Sequence, residues 1–211
     1  MKHRGILAVV SGFSGAGKGT LMKNLVNQYD NYALSISMTT RLPREGEEDG
    51  REYFFVSKET FEEKVGQGGL IEYACYCDNY YGTPKEYVEN QLAMGRDVLL
   101  EIEIQGALKV REKFPEALLL FVMPPSAKEL ENRLTGRGTE TPEVVSKRLR
   151  RAVSEAQGIE NYDYIVINDD LEMCTQELHS IICTAHKSVG RNEEFIENMR
   201  QELNVLVKGE K

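Results

Sequence analysis

Basic residues are in short supply. Twenty-six lysines and arginines stand against 34 aspartates and glutamates, a formal net charge of −8 over 211 residues. That balance excludes wholesale nucleic-acid binding, because no cationic surplus is available to replace counterions along a phosphate backbone. Any anion site must come from arginines gathered locally. Cysteine is scarce too: Cys75, Cys77, Cys174 and Cys183 are too few and too scattered for a disulfide framework. Cys75-Tyr76-Cys77 also lacks the spacer and second ligand pair of a structural zinc site. His3, His179 and His186 show no ligand or triad spacing, which argues against histidine-based chemistry and predicts surface or helix-face positions. No apolar run is long enough to span a membrane. Met1-Lys2-His3-Arg4 leads into a short strand-like run with no small-residue cleavage site after it, so the expectation is a cytoplasmic protein with neither nucleic acid nor membrane as partner. Internal repeats and low-complexity tracts are absent.

What remains is an ordinary globular composition, 41% hydrophobic and 28% charged, at a length that suits one domain with inserted lobes. The most informative stretch is Gly12-Phe13-Ser14-Gly15-Ala16-Gly17-Lys18-Gly19-Thr20. It follows an apolar run, 5–11, and precedes a helical pattern with Leu21, Leu25 and Val26 on one face, the strand, loop and helix context of a P-loop. Its glycines let successive N–H groups converge on phosphate oxygens at a helix N-terminus, and Lys18 adds a full charge. Gly19 stands where a Ser or Thr ligand to Mg²⁺ is usual, with Thr20 one place later.

Strand-like runs recur at 5–11, 97–104, 117–123 and 164–168, each followed by a helical pattern. This alternation predicts an α/β fold, a parallel sheet flanked by helices with ligand groups at the carboxyl ends of the strands. Residues 36–89 break the pattern with hydroxyls, Arg41, Arg44, tyrosines and Glu72, and read as an inserted lobe between core segments 1–35 and 90–189. Within it a strand is expected at Tyr53-Phe54-Phe55-Val56, a helix from about Ser57 to Gly66, a strand at 70–77 and a turn at Asp78-Asn79. Thr83-Pro84-Lys85-Glu86 has the form of a helix cap, and Ser126-Ala127-Lys128-Glu129 of a capping box. A Gly-flanked arginine, Gly136-Arg137-Gly138, divides two helices carrying Arg133, Arg148, Arg150 and Arg151, which suggests a helical lid over about 130–157. From Gly190 to Lys211 a charged tail spaces Phe195, Met199, Leu203 and Leu206 for one helix face, to pack on the body or on a second copy; monomer and homo-oligomer both stay open.

The ordered motifs Ser11 to Lys18, Ser37-Met38-Thr39-Thr40-Arg41-Leu42-Pro43-Arg44, Asn79-Tyr80-Tyr81-Gly82-Thr83, Gln105-Gly106, Gly136-Arg137-Gly138-Thr139-Glu140 and Asn168-Asp169-Asp170 together resemble the guanylate kinase family over about residues 5–188. The resemblance implies a P-loop nucleoside-monophosphate kinase core with an inserted GMP-binding lobe and a lid, passing a phosphoryl group from ATP to GMP or dGMP with Mg²⁺. It assigns ATP to Gly12, Ser14, Gly15, Ala16, Gly17, Lys18, Gly19 and Thr20. Arg133 would sit on the phosphates, Arg137 near the adenine, and Asn168 against that base. It assigns the GMP phosphate to Arg41, Arg44, Tyr53 and Tyr81, and the guanine to Glu72 and Thr83 with Ser37 nearby. Lys18, Arg41, Arg137 and Arg148 carry catalysis by neutralising charge on the transferred group. Thr83 retains two readings, helix cap and guanine O6 contact.

Two positions depart from the family pattern. Glu101-Ile102-Glu103 stands where many members have Asp-Ile-Asp; Glu101 is expected on Mg²⁺-bound water, with Thr20 beside it, and Glu103 on the guanine side. Gly19 matches the Gly-Lys-Gly-Thr of related kinases, in which phosphates and water hold most of the metal. Rival readings are a non-catalytic interaction module of the same fold, a kinase with another small phosphate acceptor, and a P-loop GTPase. The last lacks its Asn-Lys-x-Asp element here.

Overall fold

The computed structural model describes residues 4–76, 78–136 and 141–209. In chain order its elements are β1 (Leu7–Gly12), α1 (Lys18–Gln28), β2 (Tyr32–Leu34), β3 (Ser37–Thr39), β4 (Tyr53–Phe55), α2 (Lys58–Gly66), β5 (Leu70–Tyr76), β6 (Asn79–Pro84), α3 (Lys85–Ala93), β7 (Asp97–Glu101), α4 (Ile104–Lys113), β8 (Leu118–Met123), α5 (Ala127–Thr135), α6 (Pro142–Ala156), β9 (Tyr164–Ile167), α7 (Leu171–Ala185) and α8 (Glu193–Gly209).

The central strand β1 is apolar from Leu7 to Val10 because both of its faces are covered, as continuous apolar runs in parallel sheets are. Ala8 and Val10 point to one side, against Leu21 and Leu25 of α1 and Leu178 and Ile182 of α7. Leu7 and Val9 point to the other, against Val88 and Leu92 of α3 and Ala107 and Val110 of α4. The five core strands run parallel in the order β2-β7-β1-β8-β9. Their carboxyl ends therefore bring Gly12, Leu34, Glu101, Met123 and Ile167 to a single edge. The expected α/β architecture is present.

A second sheet, β4-β3-β6-β5, rises beside that edge; β3 and β4 are parallel and the other pairs antiparallel. Its small core is Met38, Phe61 and Leu70. The three-residue strands β2 and β3 were not foreseen, since they are too short to show a period. Thr83 is the last residue but one of β6 and fully buried, while the cap position of α3 falls to Pro84. The cap reading of Thr83 is thereby replaced. Half of the box expected at Ser126 forms, its Oγ accepting from the Glu129 N–H at 3.1 Å, while the Glu129 carboxylate takes Arg133 at 2.8 Å.

The histidines of α7 and its end are half-buried and have partners. His179 stacks on Tyr29 with ring centroids 3.7 Å apart and hydrogen-bonds the Tyr32 hydroxyl at 2.8 Å. His186 lies 2.8 Å from the carboxylate of Asp97, which is 2% exposed and also accepts from the Ile6 N–H at 2.7 Å and the Asn31 amide at 3.1 Å. On α8 the stripe Phe195, Met199, Leu203 and Leu206 stays exposed, so the tail does not fold its apolar face back onto the body. No helix among the described residues is long and apolar enough to cross a membrane.

Asp97 ties the amino edge of the sheet together, far from the edge where the ligand groups collect. Asp97→Ala leaves a buried N–H and the His186 ring without an acceptor and is expected to lower unfolding stability by about 3 kcal/mol. Urea denaturation measures it. Asp97→Asn, which keeps an acceptor, should lose less.

Candidate active site

β1 ends in the P-loop. A Cβ at Gly12 would lie 2.0 Å from the carbonyl oxygen of Val122 on β8, so only glycine permits this crossing. Gly17, with φ of 87°, precedes α1 in the left-handed region, and a Cβ there would meet the Asn168 amide nitrogen at 2.5 Å. That amide donates to the Ala16 carbonyl at 2.8 Å. Asn168, 7% exposed, thus braces the loop from the end of β9. The Ala16 N–H donates to the Phe13 carbonyl at 3.0 Å, and the loop continues through Gly17 into the positive end of α1.

Lys18 folds along the loop, its ammonium donating to Gly12 O at 2.9 Å and Phe13 O at 3.2 Å, with Glu101 at 3.8 Å. Burial pushes its pKa down, and Glu101 at the end of β7 pushes it back up. The second oxygen of Glu101 lies 3.7 Å from where a Cβ of Gly19 would be. The carboxylate thus stands beside the position that usually carries a hydroxyl. Ser14 lines the same space, and Thr20 is exposed on the first turn of α1.

Two cavities, of about 450 and 460 Å³, meet between the sheets and share Ser37, Tyr53, Glu101, Ile102 and Glu103. The first reaches Lys18 and the P-loop; the second reaches Glu72, Tyr81 and Gly106. They form one cleft with a phosphate cradle at one end and the second sheet at the other. In the far part the Thr83 hydroxyl donates to Glu72 Oε1 at 2.7 Å. The other oxygen of Glu72 comes 3.7 Å from a Cβ placed on Gly106, at the start of α4. Burial raises the Glu72 pKa, and the Thr83 hydrogen bond opposes the rise. A desolvated carboxylate with a preset donor beside it is suited to a ligand edge offering two N–H donors and one acceptor.

Between the two ends, Arg41 lies over the rings of Tyr53 and Phe55 at 5.3 and 5.7 Å, and the Tyr53 and Tyr81 rings are 6.0 Å apart. Its guanidinium makes a two-pronged pair with Glu47 at 2.9 and 3.0 Å, which holds the Glu47 carboxyl below its ordinary range. Arg44 has an exposed side chain, while its N–H donates to Glu47 at 2.7 Å. On the helices beyond the P-loop, Arg133 pairs with Glu129 at 2.8 Å, and Arg148 is half-buried on α6. Arg137 lies outside the described residues. Ser37, Tyr53, Glu72, Tyr81, Glu101 and Glu103 thus line one cleft with Lys18, while Arg41 stands behind Tyr53 and the buried Thr83 behind Glu72.

Sequence reasoning passed over Glu47, although a run of acidic residues follows Arg44. It placed Arg151 among the arginines of the lid helices without a role in the site, whereas Arg151 lines the cleft from α6 and pairs with Glu103 and with Glu155. The four-residue spacing of Arg151 and Glu155 on a helix was a readable signal.

The guanylate kinase family model matches residues 4–185. The chain belongs to the guanylate kinase family. It is 48% identical to a guanylate kinase of Latilactobacillus sakei over 192 residues, 90% of this chain and 95% of the relative. It is 47% identical to one of Caldanaerobacter subterraneus over 202 residues, 96% and 98% of the two chains. The crystal structure of guanylate kinase from Anaplasma phagocytophilum superposes with a TM-score of 0.69 at 32% identity, covering 90% of each chain. As in open α/β sheets generally, the cleft lies at the carboxyl ends of the parallel strands.

The raised pKa of Glu72 has a stability consequence. Its ionised form is disfavoured in the folded chain, so it lowers stability above its folded pKa, and that penalty vanishes as pH falls below the ordinary glutamate value. Glu72→Gln is therefore expected to raise the melting temperature, measured without nucleotide, by about 2 °C at pH 8. The gain should disappear toward pH 4, as calorimetry at the two pH values will show.

Proposed function

We propose that this chain transfers the terminal phosphoryl group of ATP to GMP or dGMP. ATP lies with its phosphates on Gly12, Ser14, Gly15, Ala16, Gly17, Lys18, Gly19 and Thr20. GMP lies in the second sheet's part of the cleft. The carrying observation is the buried Glu72–Thr83 pair, in a cavity continuous with the P-loop. The Glu72 carboxylate accepts from the guanine N1–H and 2-amino group, the Thr83 hydroxyl turns to O6, and Ser37 and Glu103 flank the base. Adenine sets an N1 lone pair and a C2–H against the Glu72 carboxylate and leaves it without a donor, and an unpaired desolvated acceptor discriminates strongly.

Arg41, Arg44, Tyr53 and Tyr81 hold the GMP phosphate. Arg41 is already fixed over Tyr53, so it reaches the phosphate by exchanging Glu47 for a stronger anion. An oxygen of that phosphate attacks the γ-phosphorus of ATP in line; the new P–O bond forms as the bond to the β-phosphate oxygen breaks, and ADP leaves. Lys18, Arg133, Arg137 and Arg148 spread the charge of the transferred group, and closure of the lid over about 130–157 excludes water. Asn168 keeps the loop in shape through Ala16 and stands on the adenine side of it.

Mg²⁺ fits this site only as a shared ion. No group of three or more potential ligands occurs among the described residues, and Gly19 offers no hydroxyl. Glu101 beside Gly19, with Thr20, would hold it through water while the phosphates supply most of the coordination. Bound there, it neutralises phosphate charge and aligns the donor.

The test is an ADP-release assay with ATP, Mg²⁺ and each nucleoside monophosphate in turn. GMP and dGMP should exceed AMP, CMP and UMP in kcat/KM by about 10³-fold or more. Equal use of AMP, or no turnover with any acceptor, would sink the reading. Glu72→Gln should lower kcat/KM for GMP by about 30- to 100-fold while leaving the affinity for ATP unchanged.

A further inference from the structure

Arg151 is a cation of the P-loop cavity that the roles above leave unused. It stands on α6, three residues beyond Arg148, and enters the cavity that holds Lys18, Ser14 and Glu101. Among the described residues lining that cavity, Lys18 and Arg151 are the only cations, facing Glu52, Glu101, Glu103 and Glu155. Two carboxylates fix it. Its Nε donates to Glu155 Oε1 at 2.9 Å from one helical turn away, and its Nη2 pairs with Glu103 at the head of α4.

The two carboxylates differ. Glu155 has a side chain 17% exposed, whereas that of Glu103 is 71% exposed. The first is a firm anchor; the second is screened by water and easily given up. Glu155 Oε2 is also buried with no hydrogen-bond partner, so Glu155 retains an acceptor for the guanidinium should Glu103 release it. Arg151 lines the cavity that the P-loop lysine enters, and its charge acts on the Lys18 ammonium. A guanidinium anchored through Nε presents its remaining donors in a fixed fork, the geometry that matches a phosphoryl group.

We propose that Arg151 is a further catalytic residue, whose guanidinium leaves Glu103 and donates to the phosphoryl group in transit between the two nucleotides, with Glu155 as its anchor. This rests on the reading of the chain as an ATP:GMP phosphotransferase. Two consequences distinguish it from a surface ion pair. The contact belongs to the transition state, because Glu103 competes for the guanidinium while substrates bind, so its loss must appear in kcat and not in the KM of either nucleotide. It also depends on the fork, so lysine replaces it only in part.

Steady-state kinetics of wild type, Arg151→Gln and Arg151→Lys, with ATP and GMP each varied and melting temperatures recorded alongside, test the proposal. Arg151→Gln is expected to lower kcat by about 30-fold or more with both KM values within about twofold, and Arg151→Lys to recover part of the loss. A kcat within twofold of wild type in Arg151→Gln overturns the proposal, whatever happens to the melting temperature, and so does a loss confined to KM. If Arg151→Gln does not fold, Arg151→Lys decides alone: a kcat lowered threefold or more supports the proposal, and a wild-type kcat overturns it. An inactive wild type would instead count against the phosphotransferase reading, so the two failures are separable.

Discussion

The crossing of Gly12 over the Val122 carbonyl is the constraint on which the site depends. With no room for a Cβ between them, β1 and β8 stay paired up to the point where the chain must leave the sheet, and the P-loop starts there with no slack. The second contact point is Gly17 against Asn168, where the amide closes on the Ala16 carbonyl. The loop is thereby clamped at both ends by groups from β8 and from the end of β9. The backbone of the loop is fixed in advance of any ligand, and preorganised dipoles of this kind supply most of the electrostatic stabilisation in such sites.

Around that fixed loop the cations are held by carboxylates of the same chain: Lys18 near Glu101, Arg41 on Glu47, Arg133 on Glu129, Arg151 on Glu103 and Glu155. The acidic balance of the whole sequence acquires a local meaning here. Each pair keeps a long side chain in place at little energetic cost near water, and each offers its cation to a more highly charged anion. Glu72 differs: among the described residues it forms no ion pair, with Lys109 and Lys113 acting on it from further off and a hydroxyl beside it. Its burial costs stability in the chain alone, and on the proposed reading the donors of a guanine edge would offset that cost.

The sheet, the P-loop and most of the cleft were legible in the sequence because they rest on long apolar runs, on glycine and lysine at fixed spacing, and on motifs in family order. Thr83 was not decidable. Its neighbours Pro84 and Glu86 write a helix cap as well as a strand end, and the buried pairing with Glu72 comes from β5, eleven residues back in the chain. Short strands such as β3 carry no period of their own and are shaped by their partners β4 and β6. Asp97 and His186 meet 89 positions apart, which spacing rules for ligands and triads cannot detect. Arg151 was legible as an arginine of the lid helices but not as a cleft group, because a charged helix face looks the same whether it meets solvent or a cleft.

If one cleft selects guanine at Glu72 and Thr83 and directs its phosphate toward the P-loop, GMP must bind there in one orientation. A crystal structure of the chain with GMP bound decides it. The expected result is the guanine N1–H and 2-amino group on Glu72, O6 within hydrogen-bond distance of Thr83, and the phosphate on Arg41 with Glu47 released. GMP seated with its phosphate in the loop from Gly12 to Thr20, or with its base away from Glu72, would contradict it.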